Sequence, residues 1–262
     1  MRPFILFLLS AVLTVGCQSS PEKSETADIT TTESSFLQPE HHSASLTKVF
    51  EAHGGFEQWS KMKSLSYMKG DEYTVTNLKN RRIRLESPAQ VIGFDGKEVW
   101  ISPDTLKTDR ARFYHNLFFY FYSMPFVVGD KGAYYEDVPE KVLNEKLYKG
   151  VKVSYGDGIG DSPDDNYIIW YDPETFKMEW LMYTVTYRTG EPSDRYSLIK
   201  YDDWKDFNGL LLPSFLQWYQ YDGETVGEPR GDGTRFTEIQ IAEEMPDNVL
   251  FEMPENAAIA PR

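Results

Sequence analysis

Residues 177–187 read KMEWLMYTVTY, and their alternation decides what kind of sheet this chain builds. In an extended strand, successive side chains point to opposite faces of the sheet. Leu181 and Tyr183 therefore share one face, while Trp180 and Met182 share the other. Because both faces of this strand are partly apolar, we expect both to be covered.

The rest of the second half follows the same rhythm. Further strands are predicted at 150–155, 166–171, 195–201, 211–221 and 233–242. The turns between them are rich in Gly, Pro, Asn and Asp, residues that favour tight turns. There is no internal repeat and no regular alternation of strand and helix. Consecutive strands should therefore pair as one long antiparallel meander.

The first half adds more strands. Residues 64–69, 71–77 and 81–86 are rich in Tyr, Val, Thr and Ile with alternating polarity. Residues 91–101 read as a hairpin that turns on Asp95-Gly96, a strong short-range turn signal. The predicted fold class is α+β, dominated by an antiparallel β-sheet.

Only a few helices are predicted. Ser45 is the expected N-cap of a first helix, which ends at Gly54-Gly55. A short second helix follows around Trp59. A third, aromatic helix spans residues 109–123 and ends before Pro125, which cannot continue a helix.

The amino terminus reads as an export signal. Residues 1–16 begin with Arg2 and continue with an apolar run of about a dozen residues, too short to cross the roughly 30 Å core of a bilayer. Leu13-Thr14-Val15-Gly16-Cys17 resembles a bacterial lipobox, with Thr14 in the place usually held by Leu. We predict a signal peptide at 1–16, a lipidated Cys17 that begins a disordered Ser/Thr-rich tether at 17–44, and a single domain at 45–262.

Cysteine content and net charge limit which disulfides and which binding partners this chain can have. Cys17 is the only cysteine, so no internal disulfide can form. The formal net charge is −14, and removal of Arg2 with the signal peptide makes it −15. Such an acidic chain should repel nucleic acid, and its membrane attachment should rest on acyl chains. Gln18 after the cysteine favours the outer membrane, facing the periplasm or the surface.

A search for catalytic motifs is negative. The sequence has no Gly-x-Ser-x-Gly elbow, no His-Glu-x-x-His pair, no P-loop and no dinucleotide fingerprint. His53 is interpreted as a structural residue at a helix C-terminus, where a partly charged imidazole suits the helix dipole and Gly54 supplies the cap, and His115 as a packing or surface residue. The acidic stretch, interpreted as a solvated turn with calcium binding as the alternative, comprises Asp157, Asp161, Asp164 and Asp165. We predict no catalytic residue, no metal site and no cofactor.

Several segments, taken in order, resemble a known family over roughly residues 46–253. They are Ala52-His53-Gly54-Gly55, Trp59, Asp95-Gly96-Lys97 with Trp100, Gly160-Asp161-Ser162-Pro163-Asp164-Asp165, Tyr171-Asp172-Pro173-Glu174-Thr175 and Asn208-Gly209-Leu210-Leu211-Leu212-Pro213. The order resembles an uncharacterised family of envelope lipoproteins related to the LolA/LolB-like lipoprotein-carrier superfamily. The resemblance implies a half-barrel sheet wrapped around helices, an apolar cavity between them, and a carrier role without catalysis. The lipid anchor predicted here departs from the soluble carriers of that group.

These observations lead to a main hypothesis and two alternatives. The main one is a tethered, non-catalytic envelope lipoprotein that binds a lipid or acyl chain between sheet and helices. The alternatives are a periplasmic or surface hydrolase with an acidic cluster, and an interaction lipoprotein without a small ligand. The residues predicted to line the cavity are Phe118, Phe121, Tyr122, Trp180, Met182 and Trp218.

Overall fold

The computed structural model describes residues 42–104, 110–155, 165–186, 191 and 193–261. All of them lie in one compact unit, Ser35–Arg262. Among these residues, no helix is long and apolar enough to cross a bilayer. The lipidation at Cys17 and residues 18–41 of the predicted tether lie outside the described residues and stay predictions.

Four short α-helices precede or interrupt the strands: α1 (Ala44–Ala52), α2 (Phe56–Lys61), α3 (Ala111–Tyr114) and α4 (Leu117–Tyr122). Ser43, not Ser45, caps α1, because its hydroxyl accepts the N–H of Leu46. His42, expected in the tether, packs 5.0 Å from the ring of Phe50. The folded part therefore begins before Ser45.

The predicted single helix at 109–123 is wrong, because it is broken between α3 and α4. His115 ends α3 and Asn116 begins α4. The Nδ1 atom of His115 bonds the carbonyl oxygen of Arg112, and such local side-chain bonds compete with helix hydrogen bonds. After α4, a 3₁₀ turn at Phe126–Gly129 returns the chain to the sheet.

The predicted strand segments agree with the structure within a few residues, with two exceptions. Segment 211–221 is two strands separated at Pro213, and segment 177–187 is strand only to Tyr183. The long strand Ala133–Leu143 and the short strands at 205–207, 226–229 and 258–259 were not predicted. The strands are β1 (Ser64–Lys69), β2 (Glu72–Asn77), β3 (Ile83–Glu86), β4 (Val91–Phe94), β5 (Val99–Ser102), β6 (Ala133–Leu143), β7 (Lys146–Tyr155), β8 (Tyr167–Tyr171), β9 (Met178–Tyr183), β10 (Ser197–Asp202), β11 (Lys205–Phe207), β12 (Leu210–Leu212), β13 (Phe215–Tyr221), β14 (Val226–Pro229), β15 (Thr234–Ala242) and β16 (Ala258–Ile259).

Fourteen of the described strands form one open, curved, antiparallel sheet, as the fold class predicts. Its order is β16-β5-β4-β3-β2-β1-β15-β13-β10-β9-β8-β7-β6, with β14 paired to β13. The expected single meander is therefore two meanders. The late strand β15 lies between them and pairs with β1 on one side and β13 on the other.

Both faces of the second meander are covered, as the alternation of β9 predicts. Leu181 belongs to the main core, which the helices cover. Trp180 and Met182 belong to a second apolar cluster on the opposite face. The same division holds in β8, where Ile169 contributes to the main core and Trp170 to the second cluster.

Candidate functional site

The six predicted cavity residues lie on two faces of the sheet. Phe118, Phe121, Tyr122 and Trp218 lie on the helix side, where they pack in or against the main core. Trp180 and Met182 lie on the other side, in the second cluster. The prediction that all six line one cavity is wrong, because Trp218 is in register with Ile199 on the core side, whereas Trp180 and Met182 point to the opposite face.

On the helix side, α4 packs directly against the sheet. The ring of Tyr122 lies 4.7 Å from the rings of both Tyr67 and Phe236. The hydroxyl of Tyr201 donates a 2.7 Å hydrogen bond to the carbonyl oxygen of Phe121. Phe121 and Tyr122 are 5% and 0% exposed. Where we expected a cavity next to these two residues, side chains fill the space.

At the edge of this interface, half-buried aromatic side chains remain within reach of solvent. The indole N–H of Trp218 donates to the hydroxyl of Tyr183 at 3.0 Å, and the Phe118 ring lies 6.3 Å from that indole. The ammonium group of Lys69 lies 4.5 Å from the centre of the Phe118 ring. Lys69 also pairs with the buried Glu72 at 3.2 Å. Through Phe118, these contacts hold α4 to both meanders.

A cleft of about 810 Å³ lies on the opposite face. Ile168, Trp170 and Met182 line it and are each at most 9% exposed, so they form an apolar floor. Half-buried Tyr196 and Tyr221 line its walls. The volume falls within the range of about 300–1,000 Å³ typical of small-molecule sites.

The second meander curls to make this cleft. Five strand spacings separate β6 from β13, so in a flat sheet the two strands would be roughly 24 Å apart. Yet Lys141 of β6 has its Nζ atom 3.4 Å from the carbonyl oxygen of Gly223, just after β13. The β6 edge therefore bends across the face that carries the second cluster.

A glycine and a bulge shape the floor and one wall. Gly150 pairs with Trp170, and a Cβ atom at position 150 would lie 2.6 Å from the indole ring and 2.7 Å from Val138. Glycine thus lets the indole lie flat on β7. The β6–β7 register shifts between Val138 and Lys141, around Pro139. Such bulges bend an edge strand, and this one turns Val138 and Lys141 toward the cleft.

Charged side chains surround the opening of the cleft. Lys141, Arg195, Glu140, Asp194 and Asp222 line it. Glu140 pairs with Lys149 at 3.7 Å. Asp222 accepts the N–H groups of Glu224 and Thr225, and these hydrogen bonds lower the pKa of its carboxyl group. Two of the three carboxylates therefore already interact with other groups of the protein.

His53 is buried and neutral. It is 1% exposed, its ring lies 4.7 Å from that of Trp204, and its Nδ1–H donates to the carbonyl oxygen of Val49 at 2.7 Å. Burial lowers the pKa of His53 to about 4; the Val49 bond opposes this change, and the charge of Lys177 adds to it. The interpretation of His53 as a structural residue at the C-terminus of α1 is confirmed, but the cap is His53 itself and not Gly54, since the backbone N–H of His53 bonds the carbonyl oxygen of Phe50. The expected partial charge is wrong, because burial disfavours the protonated ring.

Gly54, next to His53, allows the end of α1 to approach the turn at 208–210 closely. Its φ is +104°, and a Cβ atom there would lie 1.9 Å from the carbonyl oxygen of Gly209. The backbone carbonyl of His53 accepts the N–H of Leu211 at 2.9 Å. The Asn208-Gly209-Leu210 turn therefore packs directly on the end of α1.

The other predicted polar sites contribute little chemistry. His115 is buried beside Phe94, with ring centres 5.5 Å apart. Of the acidic stretch, only Asp165 is among the described residues, and it accepts the N–H and hydroxyl of Thr186 at 2.7 and 2.9 Å. Asp157, Asp161 and Asp164 lie outside them. In the described part of the chain, no group of three or more His, Cys, Asp or Glu could hold a metal ion.

Sequence reasoning missed most of the cleft because it missed β6, which supplies Val138, Pro139, Glu140 and Lys141. Within 166–171, however, the alternation of Trp170 with Tyr171 is as clear as that in β9. That pattern would have placed Trp170 beside Met182.

The sequence matches a family of unknown function, DUF6503, over residues 58–221. The chain belongs to this family. The matched range runs from α2 to β13 and includes the apolar floor of the cleft and helices α3 and α4. It ends before β15, so the strand that joins the two meanders of this DUF6503 protein lies outside it. No curated protein matches the chain.

Two solved structures are partly similar to this DUF6503 chain. One is a LolA superfamily protein from Nitrosomonas europaea, 10% identical, with a TM-score of 0.43, covering 72% of this chain and 87% of that one. The other is named as an outer membrane lipoprotein-sorting protein domain, from Vibrio parahaemolyticus. It is 4% identical, with a TM-score of 0.38, covering 74% of this chain and 93% of that one. At such identities, what those proteins bind does not extend to this one.

Proposed function

We propose that this protein is a non-catalytic envelope lipoprotein that is tethered through Cys17 and binds a hydrophobic ligand in the cleft of the second meander. The observation that carries the proposal is the floor of Ile168, Trp170 and Met182 in a cleft of about 810 Å³. The site differs from the one the sequence suggested, since it lies on the sheet face opposite to the helices.

The chemistry of the floor favours an apolar ligand. An acyl chain gains free energy in proportion to the apolar area that it removes from water, about 0.8 kcal/mol for each buried methylene. Met182 adds a flexible thioether that adapts to such chains. The walls from Tyr196 and Tyr221 offer further apolar contact with a polar hydroxyl at the edge.

The titratable groups favour binding over catalysis. A general acid or base must reach the substrate, but His53 is buried away from the cleft, beside Trp204. Among the acids that line the cleft, Glu140 is paired and Asp222 stabilises a turn. Because these groups already have partners or lie away from the cleft, they argue against the hydrolase alternative.

The length of the predicted tether limits how far from the membrane the domain can bind its ligand. The tether predicted at 17–44 would have a typical span of roughly 30 Å. The domain could then bind a ligand near the membrane surface, and we place it at the outer membrane on the basis of Gln18. Its role would be that of a local acceptor, since a tethered domain cannot diffuse across the envelope.

The test measures binding of a neutral alkyl probe, tetradecyl maltoside, to full-length protein that carries Cys17→Ala. Val138→Trp should fill part of the cleft and weaken binding at least tenfold. Val142→Trp is the matched control, because Val142 lies on the same strand, is 57% exposed and does not line the cleft. Phe118→Ala should leave binding unchanged.

Two results would count against the proposal. One is the absence of any bound lipid in native mass spectrometry together with no probe binding. The other is loss of binding in Phe118→Ala but not in Val138→Trp, which would return the site to the helix side.

A further inference from the structure

Two cations at the cleft lack a carboxylate partner. Lys141 and Arg195 both line the cleft, and neither has a carboxylate oxygen within 4 Å among the residues that the structure describes. Lys141 instead contacts the Gly223 carbonyl oxygen and lies 5.7 Å from the centre of the Tyr221 ring. Arg195 is exposed and lies two residues before β10.

Three carboxylates also line the cleft, so its lining carries no net positive charge. Glu140 pairs with Lys149, outside the cleft lining, and Asp222 accepts two backbone N–H groups. Asp194 is exposed and precedes Arg195 in the chain. In the described residues, the opening of the cleft therefore combines two cations that form no ion pair with an apolar floor.

The two cations at the cleft opening differ in sign from the net charge of the whole chain. With a formal net charge of −14, the protein repels anions at long range. Local cations can overcome that repulsion at short range, and a guanidinium group binds carboxylate or phosphate oxygens in a fixed two-point geometry.

We propose that the cleft binds an amphiphile with an anionic head group. Lys141 and Arg195 contact the carboxylate or phosphate of the head, while the tail lies along Ile168, Trp170 and Met182. This inference rests on the proposed function and names the class of hydrophobic ligand that the same cleft receives.

The experiment compares four probes with the same fourteen-carbon tail, by calorimetry below their aggregation concentrations, on the full-length Cys17→Ala protein. The heads are carboxylate, phosphate, uncharged maltoside and cationic trimethylammonium. Both anionic probes should bind at least tenfold more tightly than the maltoside. The stronger of the two identifies whether the head is a carboxylate or a phosphate.

Variants then assign the head group contact. Lys141→Gln combined with Arg195→Gln should weaken the anionic probes about tenfold more than it weakens the maltoside. Lys97→Gln, at the exposed turn between β4 and β5, is the matched control and should change neither. Shortening the tail by one methylene should weaken every probe about fourfold.

The failures are distinguishable. If the maltoside binds as tightly as the anionic probes and the double variant changes nothing, the anionic head group is refuted while the proposed function stands. Preference for the trimethylammonium probe would refute it as well. If no probe binds, both this inference and the proposed function fall.

Discussion

The buried His53 makes stability depend on pH in a defined direction. In the unfolded chain an imidazole has a pKa near 6.5, whereas in the folded protein burial lowers the pKa of His53 to about 4. Between these values the unfolded state binds a proton and the folded state does not. Stability should therefore fall as the pH drops from about 7 to about 4, and below that the full penalty is present. At about 1.4 kcal/mol per pH unit, the difference corresponds to about 3 kcal/mol.

The assay is urea unfolding at a series of pH values, with His53→Asn as the comparison. Asparagine can keep a donor for the Val49 carbonyl oxygen, but it does not titrate. The carboxylates titrate equally in both proteins, so the difference between the two stability curves isolates His53. We expect the variant to lose about 3 kcal/mol less than the wild type between pH 7 and 4. Parallel curves, or an NMR titration of His53 with a midpoint above pH 6, would refute the reasoning.

Three further changes test other parts of the molecule. Cys17→Ala should release a folded protein from the membrane fraction, as judged by fractionation and circular dichroism; a variant that stays with the membrane would show another anchor. Gly150→Ala should cost about 1–3 kcal/mol in urea unfolding and shift the Trp fluorescence, because its Cβ atom would press on Trp170; an unchanged midpoint would contradict the close approach. Tyr201→Phe removes the buried hydrogen bond to Phe121 and should cost about 1–3 kcal/mol by the same assay, with an unchanged m value; a cost near zero would show that the bond does not hold α4.

Much of the fold could be predicted because local signals agree with the final structure. The turn at Asp95-Gly96 lies between β4 and β5, as its sequence indicates. The alternation in β9 correctly predicts that both faces are covered, since Leu181 and Trp180 belong to different clusters. These features depend on neighbouring residues, and a sequence shows neighbouring residues directly.

The features that escaped prediction depend on distant contacts. In β6, Pro139 and a run of charged residues obscure the strand, which is extended because it pairs with β7. Nothing local in β15 indicates that it pairs with β1. The burial of His53 is likewise set by Trp204, far along the chain. The cleft was missed for the same reason, because it forms only when the second meander curls.

The position of β15 between the two meanders also determines the order in which this chain can fold. Leu65 pairs with Ile241, so a strand made near the start must wait for one made near the end. Strand partners so far apart in sequence give slow folding. The entropy cost of closing a long loop comes before the free energy gained from the strand contact. During synthesis, the first meander would have an unpaired β1 edge until β15 has been made. We therefore expect the two meanders to join late in folding.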